Sequence, residues 1–395
     1  MKYLIFPLLL MLAMVSCGHD DSSDIPVDSE GIDRTVIIYA VNRSSLASDF
    51  APDRQEMSEA LSKIDLSRFQ VLLYCTDSST VCSLYRGVKN RKTGECAFEK
   101  IKEYERDCTS TSPARVKTVI TDALSLYPDS AYDLIFWGHG MSWYPFFSSF
   151  DVVDNGKLYS YGGEFTGGKN PNGTSETSWI EINDLAAALP DNRFDTIWFD
   201  CCYMAGIEVL YEFRDKCDIF VAYPTEVYAN GMPYDIVLPS LLSDRHDVLG
   251  AAQSFYDSYS VTGDPATISV SDMSKIESVA DAASKILILG DGRPSARSLL
   301  NYSRSTDAPF YDLRQFLSET VDSNLADESQ ANALKKDFAD AMDAMVIFHA
   351  ESSKNFNHRE WDTSKISGVS THFFKFGNTQ RDDFYRSLAW FKRVY

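Results

Sequence analysis

Two apolar runs that end in reactive side chains constrain this chain more than any other feature. Tyr132-Asp-Leu-Ile-Phe-Trp137 leads into Gly138-His139-Gly140, and Thr196-Ile-Trp-Phe-Asp200 leads into Cys201-Cys202-Tyr203-Met204. Both read as strands, and an open parallel sheet presents its loops at the carboxyl edge, so the histidine and a thiol can meet there. A cysteine nucleophile needs a neighbouring base, and it gains acidity where it opens a helix. The spacing of Met204 to Lys216 predicts such a helix.

The flanking sequence repeats the alternation. Arg34 to Ala40 and Phe69 to Cys75 read as strands around a helix near Asp53 to Ile64, a βαβ opening. Cys82 to Val88 and Glu95 to Lys100 suit a hairpin, and Ser112-Pro113 caps a helix running to about Tyr127. Residues 144 to 178 are rich in Gly, Ser, Thr, Asn and Tyr without clear period, which suggests a long loop or small ribbon beside the site. Glu181 to Leu189 reads as a short helix, Asp218 to Tyr223 as a strand, and Pro224 to Tyr234 as a turn-rich return over the sheet edge. Beyond Asp247 helices dominate: Asp247 to Tyr259, Ser271 to Leu289, Tyr311 to Val321 and Glu328 to Met345. Strand-like Ala266 to Val270, Met345 to His349 and Gly368 to Phe374 interrupt or follow them.

At these residues the chain resembles the clostripain family of caspase-like cysteine peptidases. The carriers are the apolar strand ending in His139-Gly140 and the junction Asp200-Cys201-Cys202-Tyr203-Met204 followed by Glu208. Arg34-Thr-Val-Ile-Ile-Tyr39 with Asn42 is similar to the family's opening strand, and Ser367-Gly-Val-Ser370 to a strand near its end. The resemblance implies a caspase-like three-layer α/β/α sandwich with a mostly parallel sheet, followed by a mainly helical C-terminal subdomain. It implies Cys202 as nucleophile, two residues after the aspartate, and His139 as general acid and base. Backbone N–H groups of Gly140 and Cys202 are the expected oxyanion donors. Family preference for Arg or Lys makes Asp200 an acidic group near the primary pocket, with Glu226 and Asp235 as candidates for a second. A helix-terminal carboxylate is the plainer role for Asp200. Family zymogens are cut between the histidine and cysteine strands, where Lys157 and Lys169 stand.

Composition agrees with an exported globular protein. The 395 residues, 44% of them hydrophobic, can bury a large core in one to three domains. A formal charge of -20 argues against a nucleic-acid partner; the resemblance implies protein or peptide substrates, and a monomer is expected. Lys2 with the apolar Tyr3 to Val15 has the form of a signal segment too short to span a membrane. Met14-Val-Ser-Cys17 resembles a lipobox, with Cys17 lipidated and an acidic tether after it. A cleaved secretory signal with an incidental Cys17 is the alternative. The expected boundaries are 1–17, 18–33, a peptidase core over 34–262 and a C-terminal part over 263–395. Location at the cell envelope or surface follows, with secretion as the alternative.

Without Cys17 the cysteines are Cys75, Cys82, Cys96, Cys108, Cys201, Cys202 and Cys217, an odd set in which at least one stays free. Cys75 reads as core. Alone, His139 reads as a structural histidine bonded to a backbone carbonyl, and the cysteine pair as small core residues; Gly140, Trp137, Trp143 and the matching cysteine strand favour catalysis instead. Zinc held by Cys201, Cys202, Cys217 and His139 lacks the paired Cys-x-x-Cys spacing of structural sites. Gly163 to Lys169 has phosphate-loop spacing, but Asn170 replaces the magnesium-binding hydroxyl. Asp151 to Gly156 fails as a calcium loop at Val153. No Gly-x-Ser-x-Gly elbow occurs. The chemistry requires no cofactor, with calcium the one metal to test. Two competing functions are a non-catalytic surface-binding lipoprotein that keeps the fold and a transpeptidase-like acyl transferase.

Overall fold

The first strand shows why a sheet forms with helices on both faces. Along Val36-Ile-Ile-Tyr-Ala40 every residue is buried, Val36, Ile38 and Ala40 into one apolar cluster and Ile37 and Tyr39 into another. Successive strand side chains point to opposite faces, so a continuous apolar run demands cover on both. The structure, a computed structural model, describes residues 31–77, 81–90, 92–105, 109–143, 160–169, 175–304, 310–372 and 379–395. The signal segment, Cys17, most of the tether, Cys108, Lys157 and the rejected calcium loop lie outside them.

The strands are β1 (Arg34–Ala40), β2 (Phe69–Thr76), β3 (Cys82–Lys89), β4 (Cys96–Tyr104), β5 (Ala131–Trp137), β6 (His139–Gly140) and β7 (Tyr161–Lys169). They continue as β8 (Ser175–Ile180), β9 (Phe194–Asp200), β10 (Cys217–Ala222), β11 (Thr267–Asp272), β12 (Tyr311–Asp312), β13 (Val346–Glu351) and β14 (Ser370–Thr371). The helices are α1 (Phe50–Leu61), α2 (Pro113–Leu126), α3 (Ile182–Ala187), α4 (Ile207–Glu212), α5 (Tyr234–Leu241) and α6 (Val248–Thr262). Then come α7 (Ile276–Leu287), α8 (Leu313–Asn324), α9 (Glu328–Met345), α10 (Thr379–Ser387) and α11 (Ala389–Val394).

A nine-stranded sheet of order β13-β11-β10-β9-β5-β1-β2-β3-β4 forms the middle layer. Its five central strands, β10, β9, β5, β1 and β2, run parallel, and the flanking pairs run antiparallel. Helices α1, α5 and α6 bury their apolar residues on one face, while α2, α3, α4, α7, α8 and α9 cover the other. This is the expected α/β/α sandwich. The chain leaves β1 toward β2 and later returns to β5 on the other side of β1, so the topological switch lies between β1 and β5. In open α/β sheets such a switch point at the carboxyl edge is where ligands bind. The residues after 262 supply β11 and β13 to the same sheet as well as α7, α8 and α9.

Most element readings match, with instructive departures. The segment 144 to 178 supplies, where described, β7 and most of β8, which form a ribbon with β6, and the glycine-lysine stretch lies within strand β7 paired with β8. The turn-rich stretch ends in α5, which tolerates Pro239 inside it. The helix expected over Met204 to Lys216 is reduced to α4, which begins only at Ile207. Tyr203 at φ +64° and the backbone bonds Tyr203 N to Thr225 O, Ala205 N to Tyr223 O and Ser370 N to Ala205 O divert the preceding residues. Cys202 therefore does not open a helix, and the dipole stabilisation expected of it is absent, because that effect fades within the first turn.

Candidate active site

Strand register brings the two reactive segments together. β5 and β9 are parallel neighbours with Trp137 opposite Asp200, so His139 and Cys202 each stand two residues beyond the same rung. Adjacent strands lie about 4.8 Å apart, which fixes the scale of the gap. Gly138, at φ +147°, turns the chain out of the sheet, and Tyr161 Oη pins the exit by donating to the carbonyls of Tyr39 and Trp137 at 3.0 Å. Gly140 is required by close approach. A Cβ there would lie 2.5 Å from the Cys202 carbonyl oxygen and 2.8 Å from Cys201 Cβ.

The two cysteines point apart, as alternation requires. Cys201 is fully buried and its thiol donates to the Phe136 carbonyl at 3.4 Å, on the core side. Cys202 is partly exposed, and its sulfur donates to Val227 O at 3.8 Å and accepts Val227 N–H at 3.4 Å. Burial pushes its thiol up to about 12, the charges of Glu226 and Asp200 add to this, and the Val227 N–H and Arg304 oppose it. Burial lowers His139 from its ordinary value. Burial thus disfavours both charged forms, the thiolate of Cys202 and the imidazolium of His139, where sequence reasoning expects the cysteine to gain acidity at a helix N-terminus.

The acidic candidates separate. Asp200 is 4% exposed and held by Tyr234 Oη at 3.0 Å, Tyr223 Oη at 3.3 Å and Met232 N–H at 3.2 Å. Burial raises it to about 6, although all three donors pull it down. Glu226 stands beside the nucleophile segment and pairs with Arg304 Nε at 3.0 Å. Asp235 pairs with Lys63 Nζ at 2.8 Å, just past the end of α1, and makes no bond to the Asp200 cluster. Glu208 is buried, and its Oε1 accepts from Thr371 Oγ1, the His372 N–H and Tyr385 Oη, tying α4 to the C-terminal segment.

Sequence reasoning missed Asp53, Ser45 and Arg304. Asp53, 1% exposed, accepts from Trp137 Nε1 at 2.6 Å and shares the space beside Gly231 with Asp200: a Cβ at that glycine would meet Asp200 Oδ2 at 3.1 Å and Asp53 Oδ2 at 3.5 Å. Its signal was an acid on the helix stripe formed by Phe50, Met57 and Leu61. Arg304, over the Phe356 ring, comes from the C-terminal part and had no local signal. Among the described residues, Cys75, Cys82, Cys96, Cys201, Cys202 and Cys217 are free thiols, with Cys75 in the core. Among the described residues, no group of three or more His, Cys, Asp or Glu is arranged to hold a metal ion, and no helix is long and apolar enough to cross a membrane.

A caspase-like sandwich whose adjacent parallel strands deliver a histidine and a cysteine to one edge is the frame of a cysteine-type endopeptidase. The chain belongs to the clostripain family, whose model matches residues 38–387. It is similar to a secreted C11 cysteine protease from Bacteroides thetaiotaomicron in complex with an irreversible peptide inhibitor. That likeness has a TM-score of 0.75 and 25% identity, covering 92% of this chain and 99% of the other. An inactive zymogen C11 protease from Parabacteroides distasonis shares the fold at a TM-score of 0.74 and 24% identity, covering 92% and 99%. A search of curated proteins returns no match.

Proposed function

We propose that the chain hydrolyses peptide bonds through a Cys202–His139 dyad and prefers Arg or Lys before the scissile bond. The observation that carries the dyad is the shared rung Trp137–Asp200, from which both side chains depart by the same number of residues. Cys202 passes its proton to His139 as its sulfur bonds to the scissile carbonyl carbon. The N–H groups of Gly140 and Cys202 receive the developing oxyanion. As the tetrahedral species collapses the C–N bond breaks, and His139 gives the proton to the leaving amine. Water then attacks the thioester, giving a proton to His139, and the thiol is restored. A basic preference is supported by the buried acid pair Asp200 and Asp53 behind Gly231, of which Asp200 is the readier to carry the charge.

The test pairs a thiol-directed peptide inhibitor with fluorogenic peptides. Cys202→Ala should lose labelling and activity together, whereas Cys201→Ala, whose thiol faces the core, should keep most of both. Reversal would move the nucleophile by one residue. Asp200→Asn should lower the ratio of Arg or Lys turnover to neutral-peptide turnover by about tenfold, the size of a lost charge-assisted hydrogen bond. An equal loss on both substrates would confine Asp200 to a structural role. Added amines that failed to compete with water for the acyl-enzyme would set aside acyl transfer.

A further inference from the structure

The loop after β1 touches the dyad histidine from outside the dyad. Ser45 Oγ lies 2.8 Å from His139 Nε2. An exposed serine on a free loop is a poor positioning group, because ordering the loop would cost most of what the bond contributes. This loop is already held. The Asn42 amide donates to Thr76 O and accepts the Thr76 N–H, both at 2.8 Å, locking the turn to the end of β2. The Arg43 carbonyl accepts Phe165 N–H from β7 at 2.8 Å. Ser44, 2% exposed, accepts Leu46 N–H on its hydroxyl at 3.2 Å and Ala47 N–H on its carbonyl at 3.2 Å. Ser45 thus sits on a segment fixed to β2 and β7, at the topological switch beside β5.

The imidazole is confined from the ribbon side as well. The Trp179 ring lies 6.0 Å from the His139 ring at 35°, and a Cβ at Gly163 would come within 3.0 Å of both His139 Cδ2 and Trp179. Ring rotation is restricted by these neighbours, and the contact to Ser45 assigns Nε2 to the hydroxyl. Nδ1 is then the nitrogen left for the thiol and the leaving amine.

We propose that Ser45 is a positioning residue of the peptidase reaction: by accepting a hydrogen bond from His139 Nε2–H it keeps the reactive lone pair on Nδ1. The same bond supports the imidazolium formed when Cys202 gives up its proton. The inference rests on His139 being the dyad base. Burial of the ring makes the imidazolium costly, and a hydroxyl acceptor already held in place offsets part of that cost without the ordering that a mobile group would need.

The experiment uses the full chain and an Arg or Lys fluorogenic peptide, with kcat and KM measured across pH for wild type, Ser45→Ala, Ser45→Thr and His139→Ala. In Ser45→Ala, kcat should fall about tenfold, equivalent to about 1.4 kcal/mol, at unchanged KM. The acid limb, which follows protonation of His139, should move to lower pH because the imidazolium has lost an acceptor. Ser45→Thr, which keeps the hydroxyl, should restore both. A raised KM at unchanged kcat, an acid limb that does not move, or equal losses in the alanine and threonine variants each overturn the proposal. Full turnover by His139→Ala would instead remove the dyad reading itself, whatever Ser45 does.

Discussion

Asp53 and Asp200 meet beside Gly231 although α1 and β9 supply them from segments far apart along the chain. Burial, the Asp200 charge and the nearby Glu56 and Asp49 push Asp53 up to about 8, with only the Trp137 N–H opposing. A carboxyl raised on folding stabilises the protein while it is protonated, and that contribution is lost as pH rises toward about 8. Asp53→Asn keeps an acceptor for Trp137 and removes the ionisation. Its melting temperature should therefore fall less than that of wild type between about pH 6 and about pH 9, with a gap of at least about 1.4 kcal/mol, the worth of one pKa unit. Parallel melting curves for the two proteins would show that Asp53 does not titrate in this range. The acid itself was visible in the sequence as a charged residue on an apolar helix stripe. Its partner was not, because nothing local in either segment encodes the other.

At the scale of elements, the site depends on two strand ends and the glycines that follow them. The apolar runs ending at Trp137 and Asp200 were legible because strands buried on both faces must be apolar throughout. The helix after Cys202 was overread for the opposite reason: Met204 and Ala205 have helix-compatible side chains, but the backbone of Ala205 and Gly206 is claimed by Tyr223 and by Ser370 of β14. Such competition between distant strands leaves no trace in local spacing. Gly140 is where the two elements press closest. Gly140→Ala would set a methyl 2.5 Å from the Cys202 carbonyl oxygen, a backbone atom that must shift. A displacement approaching 1 Å at a reacting group costs about 100-fold in rate. We expect kcat/KM to fall by about that factor while circular dichroism remains that of the folded protein. Wild-type kinetics from a folded variant would show that the two loops do not depend on each other.

On the scale of the whole molecule, the described part of the chain between the histidine and cysteine strands holds the ribbon β6-β7-β8, with Lys169 closing β7, and helix α3. We expect self-cleavage between residues 144 and 178 that depends on Cys202, read as two fragments by intact mass in wild type and one in Cys202→Ala. Fully active enzyme with the mass of the uncut chain would eliminate it, and the same assay with and without calcium tests the metal. The sequence by itself determined the layered fold, the two reactive strands and the family, since each is written in contiguous residues whose period and punctuation carry the information. Only the tertiary structure decided what surrounds them: Ser45 on His139, Asp53 beside Asp200, Arg304 on Glu226, and a Cys202 thiol pushed up and outside any helix where acidity gained from a helix N-terminus was expected. Those outcomes follow from burial and from contacts between residues far apart along the chain, and only the packed sheet brings such residues within reach of one another.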